Sequence, residues 1–287
     1  MRTHPFFTDL VAHDDADLAR ELGAGVAECE TIHEWPLSWV QRLRLDDGRV
    51  LVYKSQLPPT VEPAFYRAAT SPLLPDVQVL GRLDGCSTLV VDWIDAPTLG
   101  GLDLDGAGFV RHARQVVEQI GEIKGDLPVY YDIGAPEAWH AATTETLGKL
   151  SELVRTGRFP STTPEQIEAV RAWAESDRVR ALVNAGTRIV HGDLRADQIF
   201  LTGDGYRVID WQRPILAPPD VDLVMLLDQH DIDPTPFTSA EAIGIRWFVI
   251  LRWAVEAQHD LLPDLDARLY DDWAAGAVRK ILGQLPG

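Results

Sequence analysis

Cysteine is almost missing from this chain. Two residues, Cys29 and Cys86, occur in 287. That is too few for the disulfide framework of a small secreted fold, and no Cys/His cluster has zinc-ligand spacing. Two free thiols in a reducing cytoplasm are the expectation. Long apolar runs are missing too. No uninterrupted stretch approaches the roughly 18 residues that cross a bilayer. The opening residues 1–9 reach an acidic side chain before any apolar run long enough for a secretory signal. Basic residues are scarce: 26 against 44 acidic ones leave a formal charge of −18. Phosphate backbones repel a chain of that sign unless its cations gather on one face, and no basic run is present. Neither nucleic acid nor membrane is an expected partner. A cationic small molecule suits the sign, as does the plainer reading of a solvated surface.

What is present is a globular composition, 46% apolar and 24% charged, on a chain long enough for a sizeable core. Its length suits two domains or one large one. The first third reads mainly as strands. Residues 37–45 end in apolar/polar alternation, Asp46-Asp47-Gly48-Arg49 offers a hairpin turn, and Val50 to Lys54 returns as the partner. A second hairpin runs from Val77 through Asp84-Gly85 to Ile94, and a short helix is expected over 61–70. From Asp95 the pattern turns helical. Phe109, Val110, Ala113, Val116, Val117, Ile120 and Ile123 recur at helical spacing. Thr163-Pro164-Glu165-Gln166 has the form of a capping box, as does Thr238 with Glu241 before an apolar helix, Ile243 to Ala254. The expected architecture is α+β: a small β-rich lobe, 1–94, and a larger, mostly helical lobe, 95–287.

One stretch of the helical part has strand character. Thr187 to Val190 leads into His191-Gly192-Asp193, with Gln198 further on. After Gly203-Asp204-Gly205 a second strand ends at Ile209-Asp210-Trp211. Phosphoryl transfer from a nucleotide needs few groups of this kind. They are a carboxylate to take the proton of the attacking hydroxyl, oxygen ligands for magnesium, and a cation on the phosphates. Asp193 stands five residues before the amide side chain of Gln198, and Asp210 follows the next strand. Lys54, one of four lysines in the chain, ends a strand ahead of Glu62 in the first turn of the next helix.

These residues resemble the aminoglycoside phosphotransferase and choline kinase-like family, which has a bilobal protein-kinase-like fold. His191-Gly192-Asp193 with Gln198 is similar to its catalytic loop, Ile209-Asp210-Trp211 to its metal-binding strand end, and Val52-Tyr53-Lys54 with Glu62 to its lysine–glutamate pair. Val90-Val91-Asp92-Trp93-Ile94 is similar to its inter-lobe hinge. The resemblance runs from about residue 26 to 225. It implies Asp193 as catalytic base and Gln198 and Asp210 as magnesium ligands. It further implies Lys54 on the phosphates of ATP or GTP, oriented by Glu62, and the backbone of Val91, Asp92 and Trp93 at the adenine. Asp222 would brace the catalytic loop. The implied activity is a small-molecule kinase that phosphorylates a hydroxyl, aminoglycosides and other antibiotics being among the family's acceptors.

Three features depart from the pattern. Gln198 stands where the family carries asparagine, with the same amide oxygen one methylene further out; this is compatible with magnesium binding and equally with weakened binding. The first hairpin turn, residues 32–36, has no glycines to cover phosphates. Gly121-Glu122-Ile123-Lys124 replaces the usual leucine–histidine pair. The competing reading is therefore a non-catalytic, nucleotide-binding pseudokinase. Plainer roles also exist for single residues: Asp193 as a turn cap, Lys54 as a solvated strand end, Glu62 as a helix-dipole partner. The carboxylates at 260, 264, 266, 271 and 272 read either as a solvated face or as contacts to ammonium groups.

Overall fold

A computed structural model describes residues 1–285. The chain forms two compact units. The first takes residues 1–103, 122–130 and 196–213, and the second takes 104–121, 131–195 and 214 onward. No helix among the described residues is long and apolar enough to cross a membrane.

The first unit opens with two short paired strands, β1 (Arg2–Thr3) and β2 (Val11–Ala12), and helix α1 (Asp15–Leu22), capped by Asp14. Next come β3 (Val26–Trp35), β4 (Ser38–Leu45) and β5 (Val50–Gln56), then α2 (Glu62–Ala68), β6 (Val77–Leu83) and β7 (Cys86–Asp92). The five long strands make one antiparallel sheet in the order β3-β4-β5-β7-β6. Both hairpins expected from the alternation are in it, because period-2 burial and a local turn together fix register. Leu43 pairs with Leu51 and Val40 with Lys54. Leu43, Leu45, Leu51, Tyr53 and Val90 build a core with Leu10 and Val11 of the N-terminal segment and Leu18 and Leu22 of α1.

The second unit begins with α3 (Gly106–Ile120), followed by β8 (Tyr131–Asp132), α4 (Pro136–Arg155), α5 (Pro164–Ala174), α6 (Asp177–Asn184) and β9 (Arg188–Val190). The Thr163 capping box is complete, with Gln166 reaching back to the Thr163 N–H. The chain then returns to the first unit as the hairpin of β10 (Ile199–Thr202) and β11 (Gly205–Val208). β12 (Ile215–Ala217) lies between β8 and β9 in a three-stranded sheet of the second unit. Helices α7 (Asp220–Gln229), α8 (Ala240–Glu256) and α9 (Arg268–Leu282) follow, with α8 packed on α4, α6, α7 and α9. Gly244 makes that packing possible, since a Cβ there would come within 2.4 Å of the Trp173 ring. The cap of α8 differs by one residue from the expected Thr238 box. Ser239 takes the Ala242 N–H, while the Thr238 hydroxyl donates to Asp220 and is no longer available as a cap.

Candidate functional site

In the first unit, β5 carries Lys54 inward, where only 6% of the residue is exposed. Its Nζ donates to both oxygens of Glu62, each at 2.8 Å, and to Asp210 Oδ1 at 2.7 Å. Gln56, two residues along the same strand, donates to Glu62 Oε2 at 2.5 Å. Asp210 is engaged on both oxygens: Gln212 Nε2 donates to Oδ1 at 2.7 Å and Gln198 Nε2 to Oδ2 at 3.1 Å. The structure thus brings together Lys54, Glu62, Gln198 and Asp210. The sequence reading overlooked Gln56 and Gln212, because an amide donor two residues from a charged one leaves no pattern of its own.

The backbone explains how Asp210 arrives there. Its φ is 75°, a left-handed conformation that side chains other than glycine, asparagine and aspartate rarely adopt. The turn is closed by the Gln212 N–H on the Asp210 carbonyl, 2.8 Å, and tied to the 3₁₀ turn before β10 by the Ile209 N–H on Gln198 O. Helix α2 grips the same turn. Phe65 stacks on the fully buried Trp211 at 4.4 Å and 7°, and the Val61 N–H bonds to Gln212 O. One short helix therefore positions Glu62 directly and Asp210 through its neighbour.

One ammonium serves two carboxylates here. Burial works against the charge on Lys54, but Asp210 and Glu62 outweigh it and hold the ammonium above its ordinary range. Burial pushes the Glu62 carboxyl up; Lys54 pulls it down, and Asp210 adds to the rise. The cluster carries one surplus negative charge in a poorly solvated place, which favours an incoming cation.

The hinge-like segment lies at the end of β7, where Val91 pairs with Val52, two residues before Lys54 on β5. The N–H groups of Asp92 and Trp93 bond to the carbonyls of Asp76 and Val50. The Trp93 ring is 41% exposed, with the Arg42 guanidinium 4.6 Å above it.

In the second unit, β9 delivers the His191-Gly192-Asp193 loop. Gly192 has φ 83°, which a side chain would strain. Buried Asp222, on the first turn of α7, accepts the His191 N–H at 2.7 Å and the Gly192 N–H at 3.0 Å, one on each oxygen. Burial raises the proton affinity of Asp222, against the pull of His191 and of the two N–H groups.

A family model described as the phosphotransferase enzyme family matches residues 62–248, more than half of the chain. A search of curated proteins found no match. Among solved structures, a choline/ethanolamine kinase family protein from Mesorhizobium loti is 17% identical with a TM-score of 0.62. That match covers 94% of this chain and 97% of the other. A spectinomycin phosphotransferase, solved with ADP and spectinomycin, is 13% identical over 96% of this chain and 100% of that one, TM-score 0.57. A macrolide 2′-phosphotransferase from Brachybacterium faecium is 16% identical over 93% and 88%, TM-score 0.52. At these identities the likeness is one of fold.

Proposed function

The chain belongs to the phosphotransferase enzyme family, and from that premise we propose that it moves the γ-phosphoryl of ATP, or of GTP, to a hydroxyl of a small molecule. The observation that carries this reading is the buried Lys54 ammonium shared between Glu62 and Asp210. A lysine made rigid by a buried carboxylate is what phosphate oxygens need as a fixed cation. Lys54 would hold the phosphates, and Glu62, kept in place by Gln56, would keep Lys54 from swinging away. Val91, Asp92 and Trp93 would meet the adenine through backbone atoms outside the sheet bonds, since the N–H groups of Asp92 and Trp93 are already used.

Asp210 and Gln198 fit magnesium. The carboxylate cluster has a surplus negative charge, and the Gln198 amide lies against Asp210. Turned over, the same amide presents Oε1 in place of Nε2. Two protein oxygens suit an ion that keeps waters and takes substrate phosphates. Bound there, magnesium would neutralise charge on the phosphate oxygens. Asp193 would orient the acceptor hydroxyl and take its proton as the oxygen attacks phosphorus, and the nucleoside diphosphate would leave. No protein nucleophile is needed. Relatives of the same fold that act on spectinomycin and macrolides support a hydroxylated small molecule as acceptor, and the −18 charge supports a cationic one.

The test is magnesium-ATP consumption over a panel of hydroxylated amines, sugars and antibiotics, with Asp193→Ala beside the wild type. Turnover that falls by orders of magnitude in the variant while nucleotide still binds supports the assignment. Nucleotide binding with no turnover on any acceptor favours the pseudokinase reading, to which Gln198 in place of asparagine already points.

A further inference from the structure

Helix α8 is apolar around most of its circumference and buried to match: Ile243, Ile245, Phe248, Val249 and Leu251 are all covered. Arg246 is buried among them, with 5% of its surface exposed. A guanidinium at that depth keeps its proton and needs opposite charge nearby. Its Nη2 donates to Met225 Sδ, one turn along α7 from Asp222. Its Nε and Nη1 are shielded from solvent and find no hydrogen-bond partner among the described residues. The charge therefore acts through space. Burial opposes it; facing it are Asp193, then Asp222, the Tyr131 phenol and Asp228. Asp222 has both oxygens on the His191 and Gly192 amides and cannot turn toward the guanidinium without releasing that loop.

We propose that Arg246 is a positioning residue, the buried counter-ion of the His191-Gly192-Asp193 loop. It holds Asp193 and Asp222 ionised together and so fixes the loop in the form that presents Asp193. Two carboxylates attached to one short loop, one of them out of water, repel each other and resist ionisation. A hydrophobic side chain at 246 would suit α8 better and would leave both carboxylates without compensation. The catalytic part of this inference rests on Asp193 acting as base; the charge coupling does not.

The coupling is measured by thermal unfolding of the full chain without ligand, using Arg246→Met, Asp193→Asn and the double variant. Arg246→Met lowers the midpoint by on the order of 5–10 °C, as expected when one charge of a buried set loses its partner. Asp193→Asn added to it restores at least half of that loss, and Asp228→Asn restores far less. Additive losses from Arg246→Met and Asp193→Asn overturn the inference. Should Arg246→Met not fold, Arg246→Gln reads the same cycle with a side chain of closer length. In turnover, Arg246→Met lowers kcat about tenfold or more while KM for ATP stays within about twofold, and Arg246→Lys recovers most of kcat. A loss confined to KM overturns the positioning role. If Asp193→Ala leaves turnover intact, the base assignment fails while the thermal coupling still stands or falls by itself.

Discussion

At the scale of single residues, Asp210 carries the sharpest expectation. Asparagine tolerates the left-handed backbone almost as well as aspartate but brings no charge. Asp210→Asn should leave the fold in place and weaken magnesium-dependent nucleotide binding by at least the ~10–100-fold that follows loss of an outer partner of a metal site. Calorimetric titration with and without a chelator reads this directly; unchanged magnesium dependence would remove Asp210 from the ligand set. Tyr53 makes a prediction about pH. Burial raises its phenol from 10.0 to about 12, so the unfolded chain ionises before the folded one does. The stability that this provides is complete below about pH 10 and is lost as pH rises toward 12, ~2–3 kcal/mol in all. Lys54, also raised, adds to the loss above 10.5. Tyr53→Phe should lower stability at pH 8, because the His13 N–H loses its acceptor, yet flatten the fall between pH 10 and 12 in denaturant titrations.

At the scale of elements, α2 is the piece on which the nucleotide end depends. It carries Glu62, and its Phe65 stacks on Trp211 beside Asp210. Phe65→Ala should cost about 3–5 kcal/mol as a cavity in a packed core. It should also loosen the Asp210 turn, so that nucleotide affinity falls more than for an equally destabilising change in the α1 core, such as Leu18→Ala. Equal effects of the two variants on affinity would separate α2 from the site. The hairpins β4–β5 and β6–β7 were legible in the sequence because alternation and a nearby turn fix a strand pair locally. Lys54, Glu62 and Asp210 were legible because a charged residue at a strand end or first helical turn stands out. What was not legible acts at long range: Thr70 pairs with Lys124, and the Val208 N–H bonds to Leu73 O. No local period announces such contacts. Gln56 and Gln212 were missed for the same reason. Arg246 did leave a trace, as the one arginine inside the apolar helix Ile243–Ala254 apart from Arg252 near its end.

At the scale of the whole molecule, a charge of −18 acts beyond any one contact. A field of that sign gathers cations, and salt screens it over about 8–10 Å at ordinary ionic strength. For a cationic acceptor, kcat/KM should fall as salt is raised from about 0.05 to 0.5 M, and for a neutral acceptor it should stay nearly level. Steady-state kinetics on one acceptor of each kind settles whether the charge does more than keep the protein in solution. The make-up of the first unit from three separate stretches, 1–103, 122–130 and 196–213, has a consequence for biosynthesis. A ribosome that has delivered the chain only to residue 195 has released Lys54 and Glu62 but not Asp210. The nascent sheet must wait, with its lysine half-satisfied, for nearly three-quarters of the message to be read. Gene fragments cut after the fifth long strand will express a protein that lacks its own last third.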